Sequence, residues 1–131
     1  MAGSLRGGPY HQGMRIAALD LGSNSFHLLV ADAGSDLAFT PLAAEKEMLY
    51  LGKAVAEHDG YLPDDLIDRS ADVVRRFVRI AEAMDATEVR AVATSALRTA
   101  ENADVLLDRI RSESGIDVDV ISGLREAELI F

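Results

Sequence analysis

Cysteine is missing from all 131 residues. That excludes disulfides and thiolate metal sites, and it fits a reducing compartment such as the cytoplasm. No apolar run approaches the roughly 20 residues that span a bilayer, so no transmembrane helix is expected. Positive charge is scarce as well: 13 Lys and Arg face 22 Asp and Glu, for a formal net charge of −9. This balance argues against a broad surface for nucleic acid or anionic membrane. A polyanionic ligand would need a local positive site, helped by a cation. Residues 1–13 are Gly-rich and carry no apolar stretch of the kind a signal peptide has. They read as a flexible leader, with Met14 as an alternative start. No internal repeat or low-complexity tract appears beyond them.

What is present is a globular composition, 49% hydrophobic with a mean hydropathy of +0.09, of a size for one core. Residues 15–20 and 26–32 read as strands joined by the turn Gly22–Ser25. Both are nearly continuous in apolar residues, as expected where each face of a sheet is covered. A third strand is expected over Leu37–Leu42, with an extension through Met48–Leu51 that Gly52 ends. Pro63 to about Met84 reads as a helix. Asp64 and Asp65 stand in its first turn, an apolar stripe runs from Leu66 to Met84, and Arg69, Arg75, Arg76 and Arg79 form a solvated face. Val89–Ala93 is a strand, Asn102 caps a helix that Gly115 stops, and Asp117–Ile121 is the last strand. A third helix is expected after Ser122-Gly123. The order β-β-β-α-β-α-β-α predicts an α/β domain with a mixed sheet and helices packed on it, the pattern of the ribonuclease-H-like fold. The chain stops at Leu129-Ile130-Phe131, an apolar turn that gives the expectation of the front part of a longer protein.

Three segments carry candidate chemistry. Asp20-Leu21-Gly22-Ser23-Asn24-Ser25 joins two apolar strands through a small, hydroxyl-rich turn. Such a tip offers backbone N–H groups, two serine hydroxyls and a carboxylate, which suits a phosphate and its divalent cation. Ordinary turn chemistry explains the Gly, Ser and Asn equally well, whereas a bare strand end does not need Asp20. Ala93-Thr94-Ser95-Ala96-Leu97-Arg98 follows a strand and precedes a helix, where open α/β sheets bind ligands. Thr94 and Ser95 bring hydroxyls there, and Arg98 brings a planar fork for phosphate oxygens. A polar loop with a solvated arginine is the plainer alternative. Glu126, after Ser122-Gly123, either compensates a helix dipole or brings a carboxylate to the same edge, where it could orient a water. His11, His27 and His58 receive no role.

In order and spacing these motifs resemble the exopolyphosphatase / guanosine pentaphosphate phosphatase (Ppx/GppA) family, from about Met14 to Phe131. The family belongs to the actin-like ATPase superfamily of two-lobed ribonuclease-H-like domains. The resemblance implies hydrolysis of a terminal phosphoanhydride in polyphosphate or guanosine pentaphosphate, aided by Mg²⁺. Carried over by position, Asp20 to Ser25 look like the first phosphate loop, with Asp20 holding the metal directly or through water. Arg98 looks like a phosphate clamp and Glu126 like the catalytic base. Lys46 falls where the family often places a basic residue near the substrate. Met48 and Tyr50 stand where the family tends to add arginines. The family's second phosphate loop, an acidic glycine-rich turn in the following lobe, does not occur here, so this segment alone is expected to be nearly inactive. The implied partners are the substrate and a second lobe of the same chain, with a homodimer left open. Two alternatives stand beside this reading: a sugar- or acetate-kinase-like phosphotransferase lobe, and a non-catalytic phosphate or alarmone sensor.

Overall fold

A computed structural model describes residues 14–34 and 38–121. The chain forms β1 (Met14–Leu21), β2 (Ser25–Ala33), β3 (Phe39–Met48), α1 (Leu51–Glu57), α2 (Asp64–Ala83), β4 (Glu88–Ala93), α3 (Ser95–Thr99), α4 (Ala103–Ser114) and β5 (Val118–Val120). The five strands make one mixed sheet in the order β3-β2-β1-β4-β5. β1 pairs antiparallel with β2 and parallel with β4. β2 pairs antiparallel with β3, and β4 parallel with β5. The carboxyl ends of β1, β4 and β5 therefore share one edge of the sheet. No helix among the described residues is long and apolar enough to cross a membrane.

Alternation along the strands sorts the two faces. Ala17, Leu19, Leu21, Phe26, Leu28, Val30, Ala91 and Ala93 are buried in one core cluster with the apolar stripes of α2 and α4. The stripe of α2 recurs at helical spacing through Leu66, Ile67, Ser70, Val74, Phe77 and Ala81. On the other face Ala18, Asp20, His27 and Leu29 are exposed. The expectation of a sheet covered on both faces is therefore not met by the described residues. The apolar runs of β1 and β2 arise because small or aliphatic residues occupy the open face too. The arginines of α2 form a solvated face, as expected: Arg69 and Arg76 reach Glu47 at 3.7 and 3.1 Å, and Arg75 reaches Asp72 at 2.6 Å.

Several expected boundaries shift. β3 is one strand to Met48, and Leu51–Glu57 is a helix, not a strand extension closed by Gly52. Ser95–Thr99 is a short helix where a polar loop is the simpler expectation. Asn102 occupies the N-cap position of α4 but makes no capping bond through its side chain. Its amide instead bridges to Leu62, accepting from the Leu62 N–H at 2.8 Å and donating to its carbonyl at 3.0 Å. This ties the segment before α2 to the start of α4. Gly115 ends α4 in the left-handed region (φ 74), as expected. The leader, Leu37, the third helix and Glu126 lie outside the described residues.

The edge of the sheet remote from the β1–β2 turn is pinned by Arg15. Its guanidinium takes both carboxylate oxygens of the cross-strand neighbour Asp32, at 2.8 and 3.2 Å, and donates to the Met84 carbonyl at 2.8 Å. The hydrogen bond to Asp32 raises the Arg15 pKa above its ordinary value, against the opposing effect of burial.

Candidate active site

An open cleft of about 300 Å³ lies at the carboxyl edge of β1 and β4, lined by Asp20, Gly22, Ser23, Asn24, Ser25, His27, Thr94 and Ser95. Two of the three segments singled out in the sequence thus meet at one place. They meet because β1 and β4 are parallel neighbours, with Leu21 opposite Ala93 at their ends. The residues that follow each strand must then emerge side by side.

The turn between β1 and β2 is held from three directions. Within it, the Gly22 N–H donates to the Ser25 carbonyl at 3.1 Å, and a Cβ at Gly22 would stand 3.1 Å from that oxygen. From α1, the Gly52 N–H donates to the Ser23 carbonyl at 3.0 Å. The N–H groups of Leu49 and Tyr50 both donate to the Asn24 carbonyl at 2.9 Å. From α3, the Ala96 N–H donates to Ser23 Oγ at 3.1 Å. Tyr50 adopts a left-handed backbone (φ 55) to deliver its bond. That conformation costs a non-glycine residue of order 1–3 kcal/mol, so the surrounding bonds must outweigh it. Among the described residues the Ser23 and Asn24 N–H groups have no protein acceptor. Their position at the tip suits an anion.

The donor set around the cleft is all oxygen apart from His27: one exposed carboxylate, three serine or threonine hydroxyls besides Ser23, and the Asn24 amide. No group of three or more His, Cys, Asp or Glu side chains gathers as a metal cage among the described residues. One carboxylate with room for waters and substrate oxygens is how Mg²⁺ is commonly held, so these residues fit that ion.

Lys46 and Arg98 do not line the cleft. Lys46 is exposed on β3 opposite His27, which is itself opposite Asp20 on β1. The three therefore form one cross-strand row on the open face. Arg98 sits on α3, and its guanidinium donates to the Ile121 carbonyl just beyond β5. Glu126 lies outside the described residues. The residue that sequence reading missed is His27, whose Nε2 stands 2.8 Å from Ser25 Oγ. The available signal was its position two residues after Ser25 on a strand, which puts both side chains on one face.

The sequence model of the Ppx/GppA phosphatase family matches residues 29–131. Exopolyphosphatase 1 of Mycobacterium leprae is 36% identical over 118 residues, which is 90% of this chain and 34% of that protein. The guanosine-5'-triphosphate,3'-diphosphate pyrophosphatase of Vibrio vulnificus is 36% identical over 115 residues, covering 88% of this chain and 23% of that protein. The crystal structure of an exopolyphosphatase from Cytophaga hutchinsonii superposes with a TM-score of 0.81 at 41% identity, over 88% of this chain and 36% of that one. The chain spans about a third of the length of the exopolyphosphatases and less of the pyrophosphatase. Its α/β fold is of the actin-like ATPase type, as in the solved members. With these similarities over most of its length, the chain belongs to the Ppx/GppA phosphatase family.

Proposed function

We propose that this chain supplies the first phosphate-binding lobe of a hydrolase that releases terminal orthophosphate from inorganic polyphosphate or guanosine pentaphosphate. The observation that carries the reading is the cleft that joins Asp20–Ser25 to Thr94-Ser95. The names of the relatives, exopolyphosphatase and guanosine pentaphosphate pyrophosphatase, support the same chemistry. In this reading Ser23, Asn24 and Ser25 hold the terminal phosphate through N–H and O–H donors. Asp20 is the protein ligand for Mg²⁺, which supplies charge neutralisation on the phosphate oxygens. Lys46 draws the polyanion along the open face of the sheet. Arg98 clamps phosphate oxygens with the guanidinium N–H groups not given to Ile121, stabilising charge that develops at the edge. Glu126 takes a proton from a water whose oxygen bonds to the terminal phosphorus. The bond from that phosphorus to the bridging oxygen breaks, the shortened chain leaves on that oxygen, and the terminal group is released as orthophosphate. A carboxylate suffices there because loose phosphoryl transfer asks little of a base.

The test is orthophosphate release from polyphosphate and from guanosine pentaphosphate by the complete protein that carries this chain, with and without Mg²⁺. The expected result is Mg²⁺-dependent release that needs no nucleotide acceptor and falls about 100-fold or more in Glu126→Gln and in Asp20→Asn. Phosphate transfer to ADP without hydrolysis would establish a phosphotransferase instead. Binding without turnover would establish a sensor.

A further inference from the structure

Of the serines that line the cleft, Ser23 and Ser25 each have a nitrogen behind the hydroxyl. Ser23 Oγ accepts from the Ala96 N–H at 3.1 Å. An amide can only donate, so the Ser23 hydroxyl must aim its own proton elsewhere, where an anion can use it. Ser25 Oγ lies 2.8 Å from His27 Nε2, and a ring nitrogen donates or accepts according to which one carries the proton. Were Nε2 bare, Ser25 would give its proton to the ring and turn only lone pairs towards a phosphate oxygen. With the proton on Nε2, Ser25 accepts from the ring and keeps its hydroxyl proton for the ligand, as Ser23 does. Ser25 is 9% exposed, so bulk water offers it little alternative partnership. The flanking strands fix the ring's place: His27 is held between Asp20 on β1 and Lys46 on β3 in one row of the sheet.

We infer that His27 is a positioning residue for phosphate: its Nε2–H donates to Ser25 Oγ and commits the serine proton to the bound anion. This rests on the phosphate reading of the cleft, and it assigns His27 a part that the motif letters alone do not. His27 acts through Ser25 and touches no reacting atom. The requirement is a donor at the Nε2 position, which glutamine can meet with its side-chain N–H and leucine cannot.

The experiment is a titration of the 131-residue chain with sodium tripolyphosphate and MgCl₂, followed through amide NMR shifts at residues 22–25. Long-range ¹H–¹⁵N spectra of the His27 ring are recorded alongside. The wild type is expected to bind saturably, with the Nε2 proton present in the complex. His27→Leu should weaken binding about five- to tenfold, the worth of one hydrogen bond, and His27→Gln should restore it to within about twofold. In a Ser25→Ala background His27→Leu should cost nothing further, because the route through the serine is already gone. A wild type that binds no tripolyphosphate refutes the phosphate reading and this inference with it. Binding that survives His27→Leu intact, that falls equally with and without Ser25, or that occurs with a bare Nε2 refutes the inference alone. The ring spectrum needs only the wild type, so it decides the matter even where His27→Leu does not fold.

Discussion

Gly52 is where the helix α1 meets the β1–β2 turn, and Gly52→Ala tests whether that contact shapes the cleft. On an ordinary helix the change stabilises by up to about 1 kcal/mol, because alanine loses less backbone entropy than glycine. Here the new Cβ would stand 3.3 Å from Ser23 Cβ and 3.9 Å from the Ser23 carbonyl and hydroxyl oxygens. Ser23 can retreat only by stretching the bonds that its carbonyl and hydroxyl accept from Gly52 and Ala96. Overpacking of that kind costs about 1–3 kcal/mol, enough to cancel or exceed the helical gain. The expected outcome is a variant between equal in stability and about 2 kcal/mol less stable. Its tripolyphosphate affinity should be lower because Ser23 is displaced. Urea denaturation followed by circular dichroism gives the first quantity and the amide titration gives the second. A variant that gains about 1 kcal/mol and binds tripolyphosphate like the wild type would show that α1 does not brace the turn.

Three further outcomes follow from the packing. Ser70→Ala should raise stability by about 1 kcal/mol, since the buried Ser70 hydroxyl has no hydrogen-bond partner among the described residues; an unchanged or lower denaturation midpoint would contradict this. Phe77→Ala removes a side chain with no exposed surface from the α2–sheet interface and should cost about 3–5 kcal/mol, read from the same urea curves. Asn102→Ala deletes both bonds to Leu62 and should cost about 1–3 kcal/mol, whereas loss of a mere helix cap would cost about 1 kcal/mol and leave amide exchange at Leu62 unchanged.

β1 and β2 were legible as short apolar runs bounded by a turn, although aliphatic residues on the open face hid their period of two, and α2 was legible from its period of 3.6. The direction of β4 was legible too, since a meander followed by a helical crossover from β3 makes β4 parallel to β1. That β4 lies directly beside β1, which brings the two polar segments together, is set by the strand order β3-β2-β1-β4-β5. The short helices α1 and α3 were not legible. Seven and five residues are too few for a helix to stand on its own propensity. α1 forms where Gly52 lets its backbone approach Ser23, and α3 where the Ser23 hydroxyl satisfies its Ala96 N–H. Both depend on the turn and not on their own letters. Asn102 misleads for a related reason: its type and place announce a cap, yet a second backbone 40 residues away in sequence offers its amide two bonds at once. His27 was hidden by its neighbours, because a single histidine in an apolar strand carries no pattern until the register sets Asp20 and Lys46 on either side.

Arg15 fastens the end of β1 where the described chain begins, while the cleft opens at the other end of the same strand. A linker or surface tether attached ahead of Met14 therefore joins the domain at its fastened end and leaves the cleft directed outward. Immobilised in that orientation, the protein would present every copy's cleft to solution, and cargo fused there would share none of its bracing contacts.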